Sequence, residues 1–240
     1  VFGTAIGTVR HQGFIPWDDD VDFGMLRNGY EKFIKVAPKE FQGKYGLAGP
    51  DCPQKYYNFV SKMYKKGTRF ATNYDHGRFE MGINIDIFVY DCLAEDEKER
   101  KRQMKTALTL RSLYMTKNVN FFTSSVFKKG NLIPRLVSAA AHYLWKIIPC
   151  SNDMICGWWK KNAVKYSGKS ETVTQFNDTG IWESRMHMDD IFPLVDMPFE
   201  DTYVKLPCHY DKILREMYGD YMELPPEEKR QNHYPYLLQF

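Results

Sequence analysis

Four carboxylates crowd into five residues at Asp18-Asp19-Asp20-Val21-Asp22, between Ile15 and Trp17 on one side and Phe23 on the other. Like charges this close repel, and they lose stability unless a cation, a proton or full hydration relieves them. Read as a strand, the segment points Asp20 and Asp22 to one side while Val21 and Phe23 point into the core. Two acids held that way on a rigid element suit magnesium, which takes oxygen ligands and keeps waters. A further acid, Asp86, stands alone in the apolar run Ile83-Asn84-Ile85-Asp86-Ile87-Phe88-Val89. A carboxylate wedged there needs a compensating partner, and a metal is the natural one.

Other chemistries fit less well. Asp18, Asp20 and Asp22 match the first three ligand positions of an EF-hand loop, but Phe23 stands where that loop needs Gly and Gly29 where it needs Glu. A glycosidase pair needs carboxylates at least about 5 Å apart across a sugar, which this cluster does not offer by itself. A solvated acidic turn remains open for the string taken alone. The neighbours weaken that reading. Gly3-Thr4 is a small-residue turn whose N–H groups and hydroxyl can approach phosphate oxygens, and Arg10 adds a fork-shaped cationic donor. Lys62, in the strand-like run Tyr57 to Met63, is either a second phosphate contact or an edge-strand lysine in solvent. Trp17 either stacks on a ligand's flat or cationic group or packs beneath the acids. Asp18 and Asp19 are candidates to support the metal ligands, and His233 reads as a surface histidine.

The elements that must position these residues follow from periodicity. Val21 to Met25 reads as a short strand, followed by a helix through Tyr30, Phe33, Ile34 and Ala37 that Pro38 stops. Gly43 to Pro53 reads as loop and Ile83 to Val89 as a clear strand. The spacing predicts a helix from Ala94 to about Lys117 and a largely helical stretch to about Tyr166, with loops at Thr123 to Asn131 and Pro149 to Asp153. A strand at Thr172 to Phe176, a hairpin at Met197 to Leu206 and a helix from Tyr210 to Tyr218 closed by Gly219 complete the pattern. Interspersed strands and helices give an α/β (α+β) class in one domain over residues 1–240, with 94–170 as a helical insertion.

Composition bounds the partners. The 240 residues are 43% hydrophobic and 26% charged with net charge +3. That suits a globular chain with an anionic small substrate and shows no basic stripe for nucleic acid. The five cysteines are widely spaced without a C-x-x-C pair, so neither a zinc ribbon nor a disulfide framework is expected. Val1-Phe2-Gly3-Thr4 runs straight into the motif with no signal peptide ahead of it, as a chain beginning mid-domain would. Leu132 to Ile148 is apolar but interrupted by Pro134, Arg135, His142 and Lys146, so it does not span a membrane. Leu132, Leu136, Ala139, Tyr143 and Ile147 share one helical face, expected to pack on the core; docking at a membrane surface is the alternative.

Phe2-Gly3-Thr4, Asp20-Val21-Asp22-Phe23 and Ile85-Asp86-Ile87 together resemble the signature of the nucleotidyltransferase-like fold. More narrowly, Gly3-Thr4-x-x-Gly7-x-x-Arg10-x-x-Gly13-Phe14-Ile15-Pro16-Trp17-Asp18-Asp19-Asp20-x-Asp22 resembles the LicD family of bacterial phosphocholine transferases and, more distantly, fukutin-type ribitol-phosphate transferases. The similarity returns at Phe192-Pro193-Leu194, Tyr218 to Met222 and Leu224 to Arg230, while about Leu93 to Val173 carries nothing matched. The resemblance implies a nucleotidyltransferase-like mixed sheet flanked by helices. It implies transfer of a phosphate-linked group, phosphocholine or a polyol phosphate, from a CDP-activated donor such as CDP-choline to a glycan hydroxyl, with release of CMP. The acceptor class is a glycan or lipid-linked glycan of the envelope, lipopolysaccharide or teichoic acid, and the setting is cytoplasmic at the inner face of the membrane, with peripheral association. Asp20 and Asp22 would hold Mg2+ or Mn2+, and Asp86 would be the third ligand or the base. Gly3, Thr4, Arg10, Trp17, Asp18 and Lys62 would face substrate. A nucleotidyltransferase acting on an NTP α-phosphate and a non-catalytic module of the same fold stay open.

Overall fold

The computed structural model describes residues 1–71, 81–119, 132–230 and 235–240. In chain order the elements are α1 (Phe2–His11), β1 (Asp22–Leu26), α2 (Arg27–Glu40), β2 (Tyr45–Ala48), β3 (Ser61–Lys65), β4 (Arg69–Ala71), β5 (Asn84–Cys92) and α3 (Glu97–Asn118). They continue as α4 (Leu132–Ile147), α5 (Asn152–Ala163), β6 (Thr172–Gln175), β7 (Met186–His187), α6 (Met188–Ile191), β8 (Val195–Phe199), β9 (Thr202–Leu206), α7 (Tyr210–Tyr218) and β10 (Leu237–Gln239). The class is α+β around a mixed six-stranded sheet, with β8–β9 and β4–β10 as separate pairs.

β5 organises the sheet because its isoleucines, valine and aromatics fill both faces. Its N–H groups point alternately to its two edges. Asp86 N donates to Val21 O at 2.8 Å, extending the parallel pairing with β1. Val89 N donates to Asn177 Oδ1 at 3.1 Å on the other edge, which β3 and β6 share end to end. The Asn177 amide closes the gap between them by donating to Phe59 O at 2.6 Å.

Apolar layers cover both faces. Ile87 and Val89 pack with Tyr30, Phe33 and Ile34 of α2. On the opposite face, Phe88 and Tyr90 cluster with Phe2 of α1, Ile191 of α6 and Ile213 of α7. Beyond the sheet, α3, α4 and α5 form a helical layer in which Phe59 stacks at 4.8 Å on Tyr114 and at 4.6 Å on Trp159. Asp96 caps α3 by accepting from Glu99 N at 2.9 Å, satisfying an orphan helix donor. Buried Gln103 joins this layer to the sheet, accepting from Ala94 N at 3.0 Å and donating to Cys92 O at 3.1 Å.

Several expectations are corrected. Gly3-Thr4 is not a turn but the first turn of α1. Pro38 does not stop α2; it lies inside the last turn, and the helix ends at Glu40. The expected loop at Gly43 to Pro53 contains β2, drawn into the sheet by pairing with β3. The strand expected from Tyr57 starts only at Ser61, because Asn58 Oδ1 takes the Val60 N–H at 3.0 Å and holds the backbone in a local turn. β1 begins at Asp22, so Asp20 lies ahead of it, and Phe23 is 37% exposed rather than in the core. β1 is an edge strand, and the α2 cluster includes Met25 but not Phe23. The helix α4 presents Leu136, Tyr143 and Ile147 to solvent, the last 80% exposed, although that face was expected to pack inward. Its anchored side is instead His142, buried with Nδ1 2.8 Å from Thr116 O, together with Trp145. The loop expected at Thr123 to Asn131 lies outside the described residues, as does His233.

Candidate active site

Three neighbouring strands bring three charged side chains to one face. The register pairs Asp22 of β1 with Asp86 of β5, and Asp86 with Lys62 of β3. Residues opposite one another in adjacent strands share a face, so Asp22, Asp86 and Lys62 form a row across the sheet. Lys62 Nζ makes an ion pair with Asp86 Oδ1, donates to Asn84 Oδ1 at 3.0 Å and lies 5.4 Å from the Tyr56 ring centroid. Within the protein, a lysine from the next strand thus partners the acid in the apolar strand.

The approach to β1 is set by a turn. Asp18 N donates to Ile15 O at 2.8 Å, closing a β-turn with Pro16 in its second position, where the ring pre-sets the backbone. This brings the acidic string under the start of α1. Thr4 Oγ1 accepts from Asp22 N at 2.9 Å, pinning the helix to the strand. Asp18 closes up against Gly3, where a Cβ would meet its Oδ2 at 2.5 Å and push the carboxylate aside. The Asp18 carboxylate thus lies against the first helical turn, where N–H groups are open and the helix dipole is positive. Gly3 and Thr4, expected to cradle a phosphate, here seat protein carboxylate and backbone.

Asp22 bears the electrostatic strain of the site. Burial, then the Asp20 and Asp86 carboxylates, push its carboxyl up to about 7, against smaller opposing pulls from nearby cationic groups, Lys62 the weaker of them. Among the described residues, no three His, Cys, Asp or Glu side chains stand close enough together to hold an ion between them. The donor set nonetheless fits a hard cation. Magnesium is bound through one or two carboxylates with waters and substrate phosphates completing its shell, and Asp22 is a carboxylate whose ionisation a cation would relieve.

Other expected site residues serve different ends. Arg10 Nη1 donates to Tyr221 O at 2.6 Å and to Glu223 O at 3.3 Å, so its guanidinium ties α1 to the C-terminal segment. Trp17 packs on the cluster of Ala5, Ile6, Ile15 and Leu214, with the Arg230 guanidinium 4.7 Å from its ring centroid. One residue that composition and spacing do not single out is Tyr218, at the end of α7. Its hydroxyl is pushed up to about 12 by burial and then by Asp22 and Asp18, which places it beside the acids. It arrives from the far end of the chain, where the sequence marked it as the last residue before the helix-ending Gly219 and as the start of a stretch that resembles the family, without giving it a role.

Comparison with known proteins identifies relatives of the chain. Lipopolysaccharide cholinephosphotransferase LicD of Haemophilus influenzae is 26% identical over 234 residues, 97% of this chain and 84% of its own length. Uncharacterised proteins of Rickettsia typhi and Rickettsia prowazekii are 42% and 35% identical over only 45 and 60 residues, 19% and 25% of this chain and 15% and 21% of theirs. No solved structure matches. The model of the LicD/FKTN/FKRP nucleotidyltransferase domain matches residues 1–128, which include α1, the acidic string, Lys62 and Asp86. With more than half of its 240 residues under that model, the chain belongs to the LicD/FKTN/FKRP nucleotidyltransferase-domain family.

Proposed function

We propose that the protein transfers a phosphate-linked group from a CDP-activated donor to a glycan hydroxyl, with phosphocholine or a polyol phosphate as the group and CMP as the leaving product. The observation that carries this is the row of Asp22, Asp86 and Lys62 across three strands beneath α1. In the transfer, the acceptor oxygen bonds to the phosphorus of the moving group while the bond from that phosphorus to the CMP oxygen breaks. The acceptor proton passes to the carboxylate set, which titrates as a coupled unit. Lys62 offers an ammonium next to Asp86, where it can meet the charge that builds on the donor phosphates. Asp22 and Asp86, with Asp20 ahead of the strand, would hold Mg2+ or Mn2+, which when bound neutralises phosphate charge and orients the displacement. Tyr218, half-exposed at the end of α7 and close enough to Asp22 and Asp18 to feel their charge, is a candidate contact for the donor.

The family resemblance and the relative's lipopolysaccharide acceptor support a glycan or lipid-linked glycan of the envelope as acceptor. No helix among the described residues is long and apolar enough to cross a membrane. The exposed apolar side of α4 supports peripheral association with a membrane surface. A panel of CDP-linked donors, scored for CMP release with Mg2+ or Mn2+ and a glycan acceptor, tests the reading. Release of CMP matched by phosphorylated acceptor is expected. Because the matching family model is that of a nucleotidyltransferase domain, the competing outcome is pyrophosphate release from an NTP, and it would replace this reading.

A further inference from the structure

Tyr90 lies on the same face of β5 as Asp86, since it stands four positions further along a strand whose side chains alternate. It is 2% exposed, and its hydroxyl finds no hydrogen-bond partner among the described residues. A buried hydroxyl left unsatisfied is unfavourable, and such groups are few in folded proteins. Its ring is admitted by a glycine. A Cβ at Gly24 of β1 would meet the Tyr90 ring at 3.1 Å and Val1 Cγ1 at 2.8 Å, so the ring lies over Gly24. Gly24 and Asp22 share a face of β1, and Tyr90 pairs with Leu26 beyond them. From Leu26 the side chain therefore reaches back along β1 over Gly24 towards Asp22. Burial, then the Tyr218 hydroxyl and the Asp22 carboxylate, raise the Tyr90 hydroxyl pKa, which agrees with that direction.

We infer that Tyr90 is a positioning residue: its buried hydroxyl donates to the inward oxygen of Asp22 when the outward oxygen engages a cation. Once Asp22 is ionised and turned to an ion, a hydroxyl beneath it fixes the carboxylate's rotation and strengthens its hold. Groups that orient a metal ligand in this way commonly change metal affinity by about 10–100-fold when removed. The inference rests on the carboxylates' holding a divalent cation, as proposed above.

The test uses Tyr90→Phe, which keeps the ring over Gly24 and removes only the hydroxyl. Mn2+ titration followed by the paramagnetic resonance of free Mn2+ is compared for the wild type, Tyr90→Phe and Asp22→Asn, alongside melting temperatures in EDTA. Tyr90→Phe should melt at or above the wild type without metal, because an unsatisfied donor is gone, yet bind Mn2+ about tenfold or more weakly. In turnover its kcat should fall while the donor KM holds. Wild-type Mn2+ affinity in Tyr90→Phe, with Asp22→Asn unable to bind, would overturn the role of Tyr90 alone. Mn2+ binding absent from the wild type, or undiminished in Asp22→Asn, would overturn the carboxylate site and this inference with it.

Discussion

At the residue scale, Asp22 is where structure and chemistry pull apart. Its folded carboxyl titrates at about 7 against an ordinary 3.8. Between those values the folded chain holds a proton that the unfolded chain has released, so stability falls as pH rises through this window. Asp22→Asn removes that loss. In EDTA the variant should melt above the wild type at pH 8, by about 2–4 °C for each kcal/mol relieved, and the gap should close below pH 4. Mg2+ should raise the wild-type melting temperature at pH 8 and leave the variant unmoved. A difference equal at pH 4 and pH 8 would remove the electrostatic explanation. The acids themselves were legible in the sequence, because carboxylates among isoleucine, valine and phenylalanine have few other reasons to be there. Lys62 as the partner of Asp86 was not legible, because it depends on cross-strand register. Nor was the task of Arg10, whose carbonyl acceptors lie at Tyr221 and Glu223.

At the scale of elements, α4 departs furthest from its sequence pattern. The apolar stripe suggested an inward face, but a helix apolar on more than one side does not reveal which side meets the core. His142 decides it through its bond to Thr116 O, and this leaves Val137, Leu144 and Ile147 at 63%, 61% and 80% exposure. Trp158 of α5 is exposed as well, and α4 carries Arg135 and Lys146 with no acid. An apolar face on a basic helix suits the interface of an anionic bilayer. Vesicles rich in phosphatidylglycerol should therefore float the protein at low salt. The double substitution Leu144→Glu with Ile147→Glu should cut the bound fraction several-fold without changing melting temperature or transfer to a soluble acceptor. Flotation unaffected by the pair would assign binding elsewhere. Helices whose ends carry caps or glycines, such as α3 at Asp96 and α7 at Gly219, were placed to within a few residues. β2 was missed because a short strand set in a Gly- and Pro-rich stretch forms only through its partner.

At the scale of the molecule, the acidic face is rigid because the sheet is bolted to its helices. Arg27, at the start of α2, donates from Nε and Nη2 to the two Asp91 oxygens of β5 at 2.9 and 2.6 Å, with both side chains buried. Arg27 Nη1 also donates to Asp51 Oδ2 at 3.2 Å, so Asp91→Ala leaves its charge half-partnered rather than stranded and should destabilise by about 1–3 kcal/mol, measurable by urea unfolding. A loss below about 1 kcal/mol would show the pair to be dispensable. The α+β class was legible from interspersed patterns, whereas the order of strands was not. Parallel pairing of β1 with β5 joins segments far apart in the chain, and no local periodicity encodes it. The central claim is that the row of Asp22, Asp86 and Lys62 performs transfer rather than merely binding nucleotide, and Asp86→Asn tests it most directly. The substitution removes a charge and keeps the shape. CDP affinity, by calorimetry with Mg2+, should stay within a few-fold of the wild type, while CMP release from the best donor should fall about a hundredfold or more, as when a positioned base or an electrostatic contact to the transition state is lost. Equal and mild losses in both measurements would make Asp86 a structural partner of Lys62 and contradict the account.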